Sequence, residues 1–219
     1  MNSSPTSSFL APFGLVLAIV ALAGFVDAYG FIQFHKLFVS FMSGNTTSLG
    51  VATAHLDGDK LRQLPLVLGL FVGGVVLGTL LHNWAGRWSA PLILSVVAGL
   101  LGLAYARPAL AVAGLTLGMG ILNASVHEVG GVKVSLTFVT GTLVKFGVGL
   151  ADLLSGRHQS WEWLWQITLW VAFVLGAFAG GLALLHLPQQ ALLVAASFSL
   201  VLAMAASLVH GLGQGPPTS

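Results

Sequence analysis

Residues 64–82 read Leu-Pro-Leu-Val-Leu-Gly-Leu-Phe-Val-Gly-Gly-Val-Val-Leu-Gly-Thr-Leu-Leu-His, a run without one charged side chain. A helix needs roughly 20 consecutive apolar residues to cross the hydrocarbon core of a bilayer. The rest of the chain has the same character, since 56% of its 219 residues are hydrophobic and only eight are basic and six acidic. A soluble domain carries about one charged residue in four. The composition therefore argues against a soluble enzyme, a disordered chain and a nucleic-acid-binding protein.

Charged or Pro-containing breaks divide the chain into eight hydrophobic segments. They cover about 9–31, 37–56, 64–82, 90–106, 109–126, 134–154, 163–185 and 190–209. Continuous runs of Leu, Ala, Gly and Val favour helices, because the strands of a membrane β-barrel alternate in polarity. The sequence predicts an all-α polytopic transmembrane helical bundle, a single membrane domain over residues 1–219 with six to eight crossings. The pairs Gly74–Gly78 and Gly176–Gly180 predict close helix packing.

Two stretches of the chain align without a gap. Lys36-Leu-Phe-Val-Ser-Phe-Met-Ser-Gly44 matches Lys133-Val-Ser-Leu-Thr-Phe-Val-Thr-Gly141 at an offset of 97 residues. The match predicts two internal repeats of four segments, about 9–106 and 109–210, as in many secondary transporters. If every segment crosses the membrane, the repeats are parallel. If the second segment of each repeat is re-entrant, the chain has six crossings and the repeats are inverted.

The second segment of each repeat carries polar residues at its centre. Ser43-Gly-Asn-Thr-Thr-Ser48 interrupts the first run, and Thr140-Gly-Thr142 is its counterpart. These stretches predict a broken helix in each repeat, because a backbone opened in the membrane must line a cavity or be buried in protein. In the alternative interpretation, Ser and Thr bond back to their own helix carbonyls and Asn45 bonds a neighbouring helix.

A motif near the N-terminus resembles that of a known family. Ala23-Gly-Phe-Val-Asp-Ala-Tyr-Gly30, followed by Phe38-Val-Ser-Phe-Met-Ser-Gly-Asn-Thr-Thr47 and Gly50, is similar to the hallmark of the YoaK-like family of small bacterial inner-membrane proteins, a domain of unknown function. The resemblance covers nearly the whole chain. It implies a multi-pass protein of the bacterial inner membrane, about six spans and a permease-like role, and it implies no substrate.

A few charged residues fall at the ends or inside the hydrophobic segments. Asp27, near the end of the first segment, and Glu128 are candidate proton carriers, since ionisable groups at membrane depth are costly and commonly functional. Lys145 follows the second break and is a candidate for attracting an anion. The alternative interpretation pairs Asp27 with Lys36, and Glu128 with Lys133, at the interface.

The predicted function is transport of a small solute, anionic or carbonyl-bearing, through a polar site between the two repeats. The alternatives are a channel, an intramembrane enzyme that uses Asp27 with His127 or Glu128, and a membrane scaffold or assembly protein. We expect no enzymatic activity, cofactor or metal, and the partners are the lipid bilayer, the solute and a homo-oligomeric copy. The predicted solute-binding residues are Asp27, Ser43, Gly44, Asn45, Thr46, Thr47, Thr140, Gly141, Thr142 and Lys145.

Overall fold

The computed structural model describes residues 5–125, 139–157 and 163–212. Within these ranges the chain forms helices and no strand, which confirms the all-α prediction. Short 3-10 turns at Gly86–Trp88 and Pro108–Leu110 join the third helix to the fourth and the fourth to the fifth. The helices are α1 (Pro5–Gln33), α2 (Met42–His55), α3 (Gly58–Ala85), α4 (Ser89–Ala106), α5 (Ala111–Ser125), α6 (Val139–Leu154), α7 (Trp163–His186) and α8 (Ala191–Leu212).

Four stretches of the described chain are long and apolar enough to cross a bilayer. Gly58–Ala106 contains both α3 and α4, and the chain turns between them at Gly86, whose φ is 51°. Pro108–Ala124 is a shorter apolar helix, and α2 and α6 have only 14 and 16 residues. The four stretches are Phe13–Gln33, Gly58–Ala106, Trp163–His186 and Ala191–Val209.

Two pairs of helices approach so closely that glycines face the backbone of the neighbouring helix. This confirms that both GxxxG pairs are packing faces. In each pair of helices the two residue numbers rise together, so α1 and α7 are parallel, and α3 and α5 are parallel. The close contacts are Gly176 with Ala21, Gly180 with Phe25, Gly74 with Leu117, and Gly78 with Ile121.

These four contacts repeat along the chain at fixed offsets. The contacting glycines of α7 are 102 residues after those of α3. The residues that these glycines contact are also at a constant offset, since Leu117 and Ile121 of α5 are 96 residues after Ala21 and Phe25 of α1. A second set of contacts has the same two offsets: Gly24 of α1 faces Phe173 of α7, and Gly120 of α5 faces Phe71 of α3. The helix pairs α1–α7 and α3–α5 therefore make their close contacts at positions related by constant offsets.

A cavity at one end of the bundle defines the directions of the helices. It is lined by the last turns of α1 and α4 and by the first residues of α5 and α8, including Gln33, Tyr105, Ala111 and Leu192. We call this the Gln33 end and the opposite end the Ala85 end. Helices α1, α4 and α7 run towards the Gln33 end, whereas α3, α5 and α8 run away from it.

The helices α4 and α8 pack against each other. The buried Ser199 hydroxyl donates a hydrogen bond to the Leu94 carbonyl across this contact, at 2.8 Å. Large apolar side chains from α1, α4 and α5, such as Ile19, Leu101 and Leu122, complete the core. Helix α2 packs on α3, and α6 packs on α7, so the two short helices lie at the sides of this core.

The predicted break in the second segment is misplaced. Residues 43–48 are helical and form the first turns of α2, whereas residues 34–41 are non-helical. The hydroxyls of Thr46 and Thr47 donate to the carbonyls of Met42 and Ser43, and these bonds are compatible with a continuous helix. Thr140, Gly141 and Thr142 likewise lie in the first turn of α6, whose start at Val139 is 97 residues after the start of α2.

Candidate functional site

The non-helical segment 34–41 begins with a reversal of the chain at the end of α1. His35 and Lys36 have φ values of 52° and 68°, a left-handed conformation that costs a non-glycine residue about 1 kcal/mol or more. The Lys36 N–H donates to the Phe31 carbonyl at 3.0 Å, and the Leu37 N–H donates to the Phe34 carbonyl at 3.2 Å. The first of these bonds uses a carbonyl in the last turn of α1, and the two bonds together direct residues 37–41 back along that helix.

Asp27 holds the returning chain. Its Oδ1 accepts hydrogen bonds from the N–H groups of Val39, at 2.8 Å, and Ser40, at 2.9 Å. The carboxylate is only 4% exposed and Val39 is fully buried. Asp27 is six residues before the end of α1, so Val39 and Ser40 lie about 9 Å inside the end of that helix.

Asn45, in the first turn of α2, holds the same segment from the other side. Its Nδ2 donates to the Phe38 carbonyl at 2.6 Å, and its Oδ1 accepts from the Phe38 N–H at 3.1 Å. The side chain is 1% exposed. The side-chain amide of Asn45 thus bonds both the N–H and the carbonyl of Phe38, as the backbone of a neighbouring β-strand would.

Two glycines let the segment pack closely between α1 and α2. A Cβ atom at Gly30 would lie 2.9 Å from Cγ1 of Val39, and one at Gly44 would lie 2.7 Å from Cδ1 of Phe41. The Phe38 and Phe41 rings meet edge to face, with centroids 5.1 Å apart. The predicted site residue Gly44 therefore accommodates aromatic rings of the chain itself.

Asp27 and Asn45 together bond four of the six backbone polar groups of residues 38–40. Four polar groups of this segment, three N–H groups and the Phe38 carbonyl, are bonded by the two side chains. Non-helical backbone in a membrane requires such partners, because lipid supplies none. We call residues 34–41 with α2 the re-entrant hairpin, since they enter and leave the bundle at its Gln33 end.

The Asp27 carboxylate receives backbone N–H groups in place of a cation. Lys36, the partner suggested by the sequence, is exposed at the tip of the reversal. Among the described residues, the ion pair that the structure contains is Lys60–Asp57 at 3.4 Å, outside the hairpin. Within the described ranges, no three His, Asp or Glu side chains lie close enough together to hold a metal ion.

The remaining predicted residues of α2 lie on its surface. Ser43, Thr46 and Thr47 are exposed, and the two threonine hydroxyls donate to carbonyls of their own helix, at 2.8 and 3.1 Å. Each hydroxyl oxygen still has acceptor capacity towards a ligand. These three side chains form a small polar face on the hairpin.

Helix α6 has part of the same arrangement at an offset of 97 residues. Thr142, 97 residues after Asn45, is the buried residue of α6, and its hydroxyl donates to the Val139 carbonyl at 2.7 Å. Thr140 and Lys145 are exposed, and Gly141 is half-buried.

Asn123 is the α5 residue 96 positions after Asp27. Its Nδ2 donates to Met119, and its buried Oδ1 has no hydrogen-bond partner among the described residues. The predicted residue Glu128, with His127 and Lys133, lies outside the described residues. The position 96 residues after the Asp27 carboxylate thus carries a neutral amide.

The cavity at the Gln33 end contains residues that the sequence did not single out. Gln33 and Gln189 are at its rim, and Tyr29 and Tyr105 are in its walls. Uncharged amides and aromatic rings at segment ends carry no distinctive sequence signal.

Comparison with known proteins gives matches over most of the chain. A family described as "Protein of unknown function (DUF1275)" matches residues 15–205. The UPF0700 transmembrane protein RA0705 of Rhizobium meliloti (strain 1021) is 37% identical over 192 residues, which are 88% of this chain and 84% of that protein. No solved structure matches.

Proposed function

The chain belongs to the DUF1275 family of proteins of unknown function, and we propose that it is a permease that moves a small solute across the bacterial cytoplasmic membrane. The family assignment agrees with the YoaK-like resemblance, and a relative named as a transmembrane protein agrees with the apolar helices. A helical bundle is the architecture of cytoplasmic-membrane proteins, whereas outer-membrane proteins are barrels.

The proposal includes two inverted repeats with six crossings by α1, α3, α4, α5, α7 and α8. The glycine contacts at constant offsets support the repeats. Their opposite direction is supported by α1, which runs towards the Gln33 end, and by its counterpart α5, which runs away from it. Inverted repeats with short or interrupted helices are typical of secondary transporters.

The re-entrant hairpin is the observation that carries the proposal. Its buried backbone is held by Asp27 and Asn45. A helix that only anchored the protein in the membrane would not need these contacts. Backbone of this kind at membrane depth commonly lines a solute path. We assign the exposed polar faces of the hairpin (Ser43, Thr46 and Thr47) and of α6 (Thr140 and Lys145) to that path, and Asp27 and Asn45 to its support.

Asp27 is also the proposed site of proton coupling. Its carboxylate accepts both N–H groups through one oxygen, so protonation weakens the acceptor and loosens the hairpin. The Asp27→Asn variant keeps an acceptor oxygen but does not titrate. We expect this variant to retain downhill flux and to lose its response to a proton gradient.

Flux in proteoliposomes tests the permease directly. Liposomes with the purified protein are compared with empty liposomes for uptake of radiolabelled succinate, nicotinate and nicotinamide, which sample anionic and neutral carbonyl-bearing solutes. Protein-dependent, saturable uptake of at least one of the three is expected, whereas uptake that does not saturate indicates a channel. If none of the three enters faster than into empty liposomes, the permease proposal is wrong for these solutes.

A matched pair of variants then tests the assigned path. Thr46→Val and Thr79→Val each remove an exposed hydroxyl that is bonded to a carbonyl of its own helix at 2.8 Å. Thr79 is on α3, outside the proposed path. We expect Thr46→Val to remove one hydrogen bond to the solute and to slow flux at low solute concentration by about three- to tenfold. Thr79→Val leaves the flux unchanged. Equal rates for both variants would remove Thr46 from the path.

A further inference from the structure

The cavity at the Gln33 end lies between the two halves of the chain. Its volume is about 370 Å³, within the range of small-molecule sites. Helices α1 and α4 of the first half and α5 and α8 of the second half line it. This position is separate from the polar faces of α2 and α6.

The cavity has an apolar floor and aromatic walls. Ala104, Ala111 and Leu192 form the floor and are at most 4% exposed. Tyr29 and Phe34 stand on one wall with their rings edge to face, 6.0 Å between centroids. Pro108 and Pro188, in the two turns that border the cavity, restrict the backbone around it.

The polar groups of the cavity are uncharged. Gln33 and Gln189 supply amide donors and acceptors at the rim, and none of the lining residues is Lys, Arg, His, Asp or Glu. An ion bound against the buried floor would lose part of its hydration without meeting a counter-charge in the lining, which is unfavourable. A neutral solute with a flat or apolar face would pack on the rings and bond to the amides.

The same composition argues against a lipid as the occupant. A phospholipid headgroup is recognised by cationic side chains, and the lining has none. An acyl chain needs a continuous apolar groove, whereas Gln33 and Gln189 place hydrogen-bonding groups at the mouth of this cavity.

We infer that the cavity between Tyr29 and Gln189 is a binding site for neutral, flat, amide-bearing solutes and that it excludes the corresponding anions. The site is defined by equilibrium binding, so it stands independently of transport. Binding without flux would contradict the permease alone, and flux without binding would contradict this site alone.

Nicotinamide and nicotinate form a suitable pair of probes, because they share one ring and differ in charge at neutral pH. Binding to the full-length protein in detergent is measured by saturation-transfer NMR. We expect nicotinamide to bind and nicotinate to bind at least about tenfold more weakly. Replacing either rim amide, by Gln33→Ala or Gln189→Ala, weakens nicotinamide binding by about three- to tenfold, the effect of one hydrogen bond.

Gln63→Ala is the matched control, since Gln63 is an exposed glutamine of α3 outside the cavity. It leaves binding unchanged. Absence of nicotinamide binding, equal binding of nicotinate, or equal effects of Gln33→Ala and Gln63→Ala would each overturn the inference. A phospholipid that co-purifies with the protein, is lost in Gln33→Ala and is not displaced by nicotinamide would also overturn it.

Discussion

Replacing Asp27 tests how the re-entrant hairpin is held. Asp27→Ala removes the acceptor of the Val39 and Ser40 N–H groups, which are bonded at 2.8 and 2.9 Å in a buried site. Each orphaned donor costs about 1–3 kcal/mol, so the two together cost about 2–6 kcal/mol. The substitution also removes a buried charge, whose burial is unfavourable. Asp27→Asn removes the same charge but keeps an acceptor oxygen, so the difference between the two variants isolates the hydrogen bonds.

Trypsin cleavage after Lys36 measures opening of the hairpin. Lys36 is exposed at the chain reversal, next to the segment that Asp27 holds. A loss of about 2 kcal/mol in local stability raises the open population, and hence the cleavage rate, by about 30-fold. We expect this increase for Asp27→Ala relative to Asp27→Asn. Cleavage after Lys60, an exposed residue in the first turn of α3, is the internal control.

Equal cleavage after Lys36 in the two variants would refute this account of the anchor. It would mean that the carboxylate oxygen does not support the backbone of residues 39 and 40. A parallel increase at Lys36 and Lys60 would instead indicate global unfolding, and the same pair of variants would then be compared in a bilayer.

Three further predictions concern packing, capping and the second anchor. Gly74→Ala places a methyl group 3.0 Å from the Gly120 Cα and lowers the unfolding free energy in detergent by about 1–3 kcal/mol. The control Gly73→Ala, with open space around residue 73, is neutral or stabilising. Equal effects of the two substitutions would contradict the close α3–α5 contact. The Lys60 N–H bonded to Asp57 holds the pKa of that carboxyl below its ordinary value of 3.8. The stabilisation of α3 by Asp57 is therefore complete at neutral pH and is lost as the pH falls below about 4, so the difference in unfolding midpoint between the wild type and Asp57→Ala shrinks there, and a constant difference would contradict this cap. Asn45→Ala orphans both backbone groups of Phe38 and raises cleavage after Lys36, while Thr46→Val leaves it unchanged; similar rates would argue against Asn45 as an anchor.

The helices themselves could be predicted well from the sequence. Apolar runs bounded by charge or proline define them, and the predicted segment 90–106 ends where α4 ends, just before Arg107 and Pro108. The GxxxG pairs were also informative, because glycine at this spacing lets backbones meet. Hydropathy alone determines neither which helix each glycine pair contacts nor the direction of the contact.

The position of the break could not be predicted from local composition. Ser43–Ser48 is rich in residues that disfavour soluble helices, but its hydroxyls bond back to the helix and the segment is helical. The non-helical stretch contains no glycine or proline, and two left-handed residues, His35 and Lys36, turn the chain. What stabilises this stretch is a pair of side chains at positions 27 and 45, a tertiary arrangement that no local pattern encodes.

The contacts of the buried polar residues could not be predicted for the same reason. Buried Asp and Asn residues in a membrane protein suggest ligand binding, but here Oδ1 of Asp27 and the amide of Asn45 are bonded to the protein backbone. The uncharged cavity residues Gln33 and Gln189 carry no such signal, and only the packing of four helix ends brings them together.

The most direct measurement determines on which side of the membrane the hairpin begins and ends. The chain contains no cysteine, so Lys36→Cys, Asp59→Cys and Arg87→Cys each provide one labelling site for a membrane-impermeant maleimide in intact cells and in inverted vesicles. We expect positions 36 and 59 to be labelled from the same side and position 87 from the opposite side. Labelling of positions 36 and 59 from opposite sides would mean that α2 crosses the membrane, and it would contradict the re-entrant hairpin and the six-crossing inverted repeat.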